Sequence, residues 1–130
     1  MIQDPLLRKL EYKPGMAVGH WPEQILYGAL LREEWQPVTQ PPKEMALDLI
    51  HLFCPDQITL EAQFLRWKAA MKKTGRLWVS WPKRSSRVAS DLDENILRDY
   101  GLANGLVDVK VASVDEVWSA LKFVYRLQDR

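Results

Sequence analysis

The sequence is poor in cysteine. Cys54 is the single one among 130 residues, which excludes a disulfide within the chain and any metal site built from several thiolates. The chain has two histidines, His20 and His51, and together with Cys54 they offer too few ligands for a metal centre. We therefore expect neither a structural disulfide nor a bound metal.

The sequence also lacks an excess of charge of either sign. Lys and Arg number 18 and Asp and Glu 17, for a net charge of +1, so overall electrostatics argue against nucleic acid or a membrane surface as a partner. No apolar run approaches the roughly 20 residues of a membrane span. The segment Met1–Pro5 lacks the basic and apolar stretches of a signal peptide. We therefore predict a cytoplasmic protein.

The rest of the composition is that of an ordinary globular domain. Hydrophobic residues make up 47% and charged residues 27% of the chain, a balance that favours a folded protein over a disordered one. A length of 130 residues suits one domain with one substantial core, and we predict a single domain over residues 1–130. Six tryptophans stand out, and we expect them to fill the core and its margins: Trp21, Trp35, Trp67, Trp78, Trp81 and Trp118.

Hydrophobic periodicity predicts an alternation of helices and strands. In chain order the patterns predict a short helix at 6–10, a strand at 16–20, a helix at 22–30, a weak strand at 35–39, a strand at 47–53, a helix at 60–71, a strand at 77–81, a helix at 91–105, and strands at 107–112 and 119–127. Within the strand at 47–53, Asp48 interrupts an otherwise apolar pattern.

The two long helices carry the clearest local signals. The first has one apolar face at spacings of four, three and four, formed by Leu60, Phe64, Trp67 and Met71. Lys72 and Lys73 would lie in its last turn, with Gly75 as its C-cap. For the second, Asp91 and Glu94 resemble a capping box, and Gly105 would end it.

This order of elements predicts an α/β fold with a three-layer, Rossmann-like sheet. Strands separated by helices are expected to be parallel and joined by right-handed crossovers, so the strands at 16–20, 47–53 and 77–81 should be mutually parallel. The last two strands should pair antiparallel, because residues 113–116 between them are too few for a crossover helix. The resulting topology resembles a shortened class I methyltransferase core.

Several stretches of the sequence carry a second resemblance. They are Lys13–Gly15, Ile50–Phe53, Leu77–Lys83, Gly105–Val111 and Asp115–Val124, and the most specific within them are Trp-Val-Ser-Trp-Pro-Lys and Trp-Ser-Ala-Leu-Lys-Phe. With these stretches the chain resembles, from about Tyr12 onward, the bacterial domain-of-unknown-function family three-thousand-and-fifty-two. That family has no assigned activity, so the resemblance implies a family and no reaction.

A basic loop is the leading candidate site. Ligands of open parallel sheets bind at the carboxyl ends of the strands, and the loop after the strand at 77–81 carries Lys83, Arg84, Ser85 and Ser86. These side chains suit a phosphate or a carboxylate, and Trp81 with Trp21 would offer a flat platform. The partner would be an anionic small molecule or an acidic protein. The alternative is a solvated loop without a ligand.

Two catalytic possibilities have weaker support. A methyltransferase cofactor needs a glycine-rich first turn and an acidic residue after the second strand, whereas the turn at Gly19–Pro22 has one glycine, and Thr39–Pro41 holds no acid. We therefore expect no cofactor. Cys54 and His20 would be a thiolate–imidazole pair if they met, with Asp56 nearby, although cysteine often packs as a small apolar residue.

The sequence as a whole favours a binding or accessory module without catalytic residues. The alternative is a divergent methyltransferase-like enzyme that keeps a small-molecule pocket. A pocket at the carboxyl ends of the strands would favour a small-molecule ligand. A flat, filled face with an exposed tryptophan would favour a partner protein.

Overall fold

The computed structural model describes residues 4–23 and 33–130, and within them the fold is a mixed α/β arrangement around a five-stranded sheet. The elements in chain order are α1 (Pro5–Lys9), β1 (Val18–Trp21), β2 (Leu47–Phe53), α2 (Gln57–Lys68), β3 (Met71–Pro82), a 3-10 turn (Arg84–Ser86), α3 (Glu94–Ala103), β4 (Leu106–Ser113), β5 (Trp118–Tyr125) and a second 3-10 turn (Leu127–Asp129).

The sheet has the strand order β1-β2-β3-β5-β4. Strands β1, β2 and β3 are parallel, and β5 lies between β3 and β4 and runs antiparallel to both. The predicted parallel trio and antiparallel pair are therefore confirmed. Because the three parallel strands are neighbours, their carboxyl ends at Trp21, Phe53 and Pro82 lie along one edge of the sheet.

Apolar side chains cover both faces of this sheet. Alternate residues of β3 belong to two separate buried clusters: Leu77 and Val79 pack in the cluster that includes residues of α2 and α3, and Trp78 packs in the cluster that includes α1. This is the period-two alternation of a strand buried on both sides. Trp78 also donates a hydrogen bond from its indole to the Leu10 carbonyl, at 2.9 Å, which satisfies its one polar group in the core.

The helix predicted at 60–71 ends earlier in the structure. It begins at Gln57, capped by Asp56, and ends at Lys68, and Met71 is the first residue of β3. The prediction that Lys72 and Lys73 complete a helix and that Gly75 caps it was therefore wrong. All three lie in β3. Gly75 packs closely against β2, because a β-carbon at this position would lie 3.0 Å from the Leu47 carbonyl oxygen.

Asp48, which interrupts the apolar pattern of β2, has a structural role. One carboxylate oxygen accepts a hydrogen bond from the Ala17 backbone at 2.8 Å, and the other accepts one from Lys72 at 3.0 Å. These two contacts link the start of β2 to the segment before β1 and to β3. A polar residue can therefore stand in this strand because it is partly exposed and hydrogen-bonded.

The structure also tests both ends of the helix predicted at 91–105 and the weak strand predicted at 35–39. The helix beginning near Asp91 is capped by Asp93, whose carboxylate accepts from the Ile96 backbone at 2.8 Å, while Asp91 accepts from Gln57. Gly105 follows this helix with a φ of 89°, as expected of a residue after a helix end. The weak strand at 35–39 is reduced to a single bridge between Gly19 and Val38.

The remaining predictions concern the helix at 22–30, the burial of the tryptophans and the absence of a membrane-spanning segment. Residues 24–30 of the predicted helix lie outside the described residues. Four tryptophans are buried, as predicted, namely Trp35, Trp67, Trp78 and Trp81, and Trp21 and Trp118 are half-buried. Over residues 4–23 and 33–130, no helix has the length and apolar character needed to cross a bilayer.

Candidate functional site

Two hollows lined by described residues lie at the carboxyl edge of the parallel strands. One, of about 340 Å³, lies beyond β3, and its lining residues are Trp81, Lys83, Arg84, Asp93, Glu94, Asn95 and Ser119. The other, of about 290 Å³, lies beyond β1, and its lining residues are Trp21, Pro22, Glu23, Thr39 and Gln40. We call them the β3 hollow and the β1 hollow. The edge that binds ligands in open parallel sheets is therefore indented at two places.

The loop beside the β3 hollow is held by its own hydrogen bonds. Ser86 donates from its hydroxyl to the Lys83 carbonyl at 2.6 Å and accepts from the Val88 backbone at 3.2 Å. The Lys83 backbone donates to the Val117 carbonyl at 2.7 Å, which ties the loop to the connection between β4 and β5. The Ser86 hydroxyl therefore serves the loop itself, whereas Ser85 is exposed.

The two predicted cations of this loop both line the β3 hollow. The ammonium group of Lys83 donates to the Ser113 hydroxyl at 2.6 Å, so it is held against the sheet, and Arg84 is exposed. A charge positioned by a hydrogen bond loses less conformational entropy on meeting a ligand than a free one. Lys83 and Arg84 are therefore the two cations that line the β3 hollow.

Carboxylates share the hollow, which sequence reasoning missed. Asp93 and Glu94, at the start of α3, line it together with Lys83 and Arg84, so the formal charge of its lining is zero. Asp93 caps α3, and Glu94 pairs with Arg98 at 2.5 Å. The signal was present in the sequence, because the carboxyl edge of a parallel strand faces the start of the following helix.

The two tryptophans predicted as one platform lie in different places. Trp81 is 7% exposed and packs in the core cluster that contains α2 and α3, so only a small part of it reaches the β3 hollow. Trp21 is half-buried and lines the β1 hollow instead. The structure therefore offers one partly accessible indole at each hollow.

Cys54 and His20 do not form a nucleophilic pair. Cys54 is buried in the cluster with α2 and α3, and burial, with a smaller effect of the Asp56 charge, raises its pKa to about 12. His20 lies on the other face of the sheet, because it is aligned with His51 and His51 with Trp78. Asp56 caps α2 through the Thr59 backbone, at 2.9 Å. The thiol is therefore protonated at neutral pH and remote from the imidazole.

A buried polar cluster on this second face was also not predicted. His51 Nε2 and Ser80 Oγ are hydrogen-bonded at 2.6 Å, Phe53 stacks on the His51 ring at 4.2 Å between centroids, and the His20 ring lies 6.1 Å from that of His51. His20, His51 and Ser80 are all buried. Their grouping follows from the register of β1, β2 and β3. A strand buried on both faces, such as β2, has no alternation of apolar and polar residues from which its register could be read.

Burial keeps both histidines neutral at neutral pH. It lowers the pKa of His20 to about 4, with a hydrogen bond to the Pro22 backbone acting in the opposite direction. It lowers the pKa of His51 well below its ordinary value, and the charge of His20 adds to that effect. No group of three or more His, Cys, Asp or Glu side chains among the described residues is arranged to hold a metal ion.

The comparisons with known proteins show no family for this chain. No protein-family model matches the sequence, and no curated protein sequence matches it. Among solved structures, the chain is similar to the ribosomal protein L11 methylase of Lactobacillus delbrueckii subsp. bulgaricus, with 12% sequence identity and a TM-score of 0.48. The match covers 75% of this chain and 49% of the methylase, so the chain spans about half that protein's length.

Proposed function

We propose that the chain is a non-catalytic binding module that takes a small anionic molecule in the β3 hollow. The observation that carries this proposal is that Lys83 and Arg84 line a hollow of about 340 Å³ at the edge where open parallel sheets bind ligands. Asn95 and Ser119 add neutral polar groups to the lining. A phosphate or carboxylate of the ligand would meet the two cations.

The carboxylates of the hollow favour a small molecule over an acidic protein. An acidic protein surface would bring its own carboxylates close to Asp93 and Glu94, and like charges at an interface oppose binding. A small ligand can place its anionic group at Lys83 and Arg84 and turn a hydroxyl or amino group toward Asp93 and Glu94. The ligand expected here therefore carries both an anion and a hydrogen-bond donor.

The finer description of the fold belongs to the same proposal. We propose a three-layer Rossmann-like sheet with a shortened class I methyltransferase-like topology. The strand order supports it, because β5 is inserted antiparallel between the three parallel strands and the edge strand β4. Membership of the bacterial domain-of-unknown-function family, suggested by Leu77–Lys83 and Asp115–Val124, is proposed on sequence resemblance alone. A cytoplasmic location is likewise proposed from the sequence.

A divergent methyltransferase-like enzyme is the second candidate. The β1 hollow favours it, because the end of the first strand is where a nucleotide-type cofactor binds in such folds. Gly19 weakens it, because a β-carbon there would lie 2.6 Å from the Trp67 ring. Packing against α2 therefore explains this glycine without a cofactor, and we expect S-adenosylmethionine not to bind.

The test is an NMR titration of the protein with inorganic phosphate, glycerol 3-phosphate and adenosine monophosphate. We expect amide shifts centred on Arg84–Arg87 that are lost in Lys83→Ala and Arg84→Ala and retained in Lys43→Ala, which removes an exposed lysine elsewhere. Glycerol 3-phosphate should bind more tightly than phosphate. The absence of shifts at affinities tighter than about 1 mM, near −4 kcal/mol, would reject the proposal. Shifts at Gly19–Trp21 with S-adenosylmethionine would support the second candidate.

A further inference from the structure

A basic groove lies at the end of the sheet opposite to the β3 hollow. It has a volume of about 280 Å³ and runs beside the first residues of β3 and the neighbouring strands β5 and β4. Four cationic side chains line it, and no Asp or Glu of the described residues does: Lys73, Arg76, Lys122 and Arg130. The groove is thus far more positive than the neutral β3 hollow.

Two of these cations are fixed and partly withdrawn from water. The Lys122 side chain is 14% exposed and that of Arg76 20%, and Arg76 also donates to the Glu11 carbonyl at 3.3 Å. In addition, Lys110 of β4 is aligned directly opposite Lys122, and like charges in that position repel. Lys73 is less available, because its ammonium group lies 4.2 Å from the centre of the Tyr125 ring.

Glu11 supplies one carboxylate to three of the surrounding cations. Its Oε1 lies 2.6 Å from Lys122 Nζ and 3.4 Å from Arg76 Nε, and its Oε2 lies 3.8 Å from Lys110 Nζ. Asp48 pairs with Lys72 and also acts electrostatically on Arg76, so two carboxylates face four cations here. Lys73 and Arg130 add to the excess, which leaves room for an anion with more than one charge.

The backbone of Glu11 is strained at this position. Its φ is 70°, in the left-handed region that disfavours a residue with a β-carbon. Glycine or asparagine would fit the turn better, but neither could extend a carboxylate to Lys122 and Arg76. This conformation belongs to the turn that ends α1, where the Glu11 and Tyr12 backbones donate to the Arg8 and Leu7 carbonyls at 3.0 and 2.9 Å. From this turn the Glu11 carboxylate faces the groove's cations.

We infer that this groove binds a small, multiply charged anion of the phosphate or pyrophosphate class, and that Glu11 is its built-in competitor. Arg76 and Lys122 are the primary ligands, because a guanidinium fork and a positioned ammonium suit phosphate oxygens. The groove has a volume of about 280 Å³, a size that favours a small anion over a nucleic acid. This site is independent of the β3 hollow.

The test uses pyrophosphate as the probe and the full chain, followed by calorimetry and NMR. We expect Arg76→Gln and Lys122→Gln to weaken binding at least tenfold, and Lys43→Gln to leave it unchanged. Glu11→Gln should strengthen binding several-fold, because it removes the competing charge. Glu11→Gly should act in the same direction and also relieves the strained backbone. Amide shifts should centre on Thr74–Arg76 and Val109.

The inference predicts weaker binding when a cation of the groove is removed and stronger binding when Glu11 is replaced, so several results would reject it. Unchanged or weaker binding in both Glu11 variants would show that Glu11 does not compete. Pyrophosphate shifts confined to Arg84–Arg87 would assign the anion to the β3 hollow and overturn the groove site while leaving the first proposal standing. Tighter binding of a single-stranded oligonucleotide than of pyrophosphate would show that the ligand class is wrong.

Discussion

His51 Nε2 lies 2.6 Å from Ser80 Oγ, and neither residue is exposed to solvent. The bond joins β2 to β3 through side chains, in addition to the backbone ladder of the two parallel strands. Phe53 covers one side of the imidazole, so water does not compete for the bond. A buried polar pair of this kind is stable only while both partners are present.

Replacing Ser80 by alanine should therefore destabilise the protein. The substitution removes one partner and leaves His51 Nε2 without this hydrogen bond in an apolar setting, at a cost of about 1–3 kcal/mol in the free energy of unfolding. Urea denaturation measures the loss. Ser85→Ala, at an exposed position, should change the stability by less than about 0.5 kcal/mol. Equal small effects of the two substitutions would show that the buried bond contributes nothing.

The stability of the protein should fall between pH 7.5 and pH 5. Burial lowers the pKa of His20 from 6.5 to about 4, so the unfolded state takes up a proton in this range and the folded state does not. His20 alone should then cost about 2 kcal/mol at pH 5, and His51, whose pKa is also lowered, adds a loss of the same sign. The stability is fully present above pH 6.5 and declines as the pH falls toward 4.

Urea denaturation at the two pH values tests this, with His20→Gln as the matched variant. Glutamine is polar and does not titrate, so the variant should lose about 2 kcal/mol less on going to pH 5. Glu11, Asp48 and Asp56, whose pKa values are lowered from 4.5 or 3.8, act mainly below pH 5. An identical pH dependence in the parent and the variant would contradict the assignment to His20.

Gly101 allows α3 to approach β5 closely. A β-carbon at this position would overlap the ring of Phe123, so Gly101→Ala should destabilise the protein by about 1–3 kcal/mol, even though alanine favours a helix over glycine by about 1 kcal/mol. Asp99→Ala, on an exposed position of the same helix, should change the stability by less than about 0.5 kcal/mol.

A double-mutant cycle with Phe123→Leu checks the cause of that loss. Leucine removes the ring that the new methyl group would strike, so the double variant should be more stable than the sum of the single effects predicts. Additive effects would show that the loss at Gly101 comes from somewhere other than this contact.

The sequence predicted the sheet better than the boundaries of its helices. Residues 47–53 were predicted as β2 with the observed bounds, because an apolar run ended by Pro55 has few other interpretations. Met71 was assigned to α2 because it continues the spacing of Trp67 and the residues before it. No helix-breaking residue stands between Lys68 and Met71, and the boundary depends on the pairing of Met71 with Leu47, a contact between distant parts of the chain.

The basic residues of the candidate site also depend on contacts between distant parts of the chain, which the sequence does not predict. Residues 66–87 carry eight cations and no acid in the sequence, a local positive bias that favours the loop at Lys83 as an anion site. In the structure Lys68 donates to the Asn104 carbonyl, Lys72 pairs with Asp48, and Arg76 lies in the basic groove. Charges that are neighbours in the sequence are separated because a long strand spreads them from one end of the sheet to the other.

The position of β5 between β3 and β4 has a consequence for how the chain is made. During synthesis β3 and β4 leave the ribosome first, and residues 77–82 of β3 keep an unpaired edge until residues 118–125 follow. An unpaired strand edge with apolar neighbours is a site of association between nascent chains. A fragment that stops before Trp118 would lose the partner of two strands at once, because β5 joins β3 to β4.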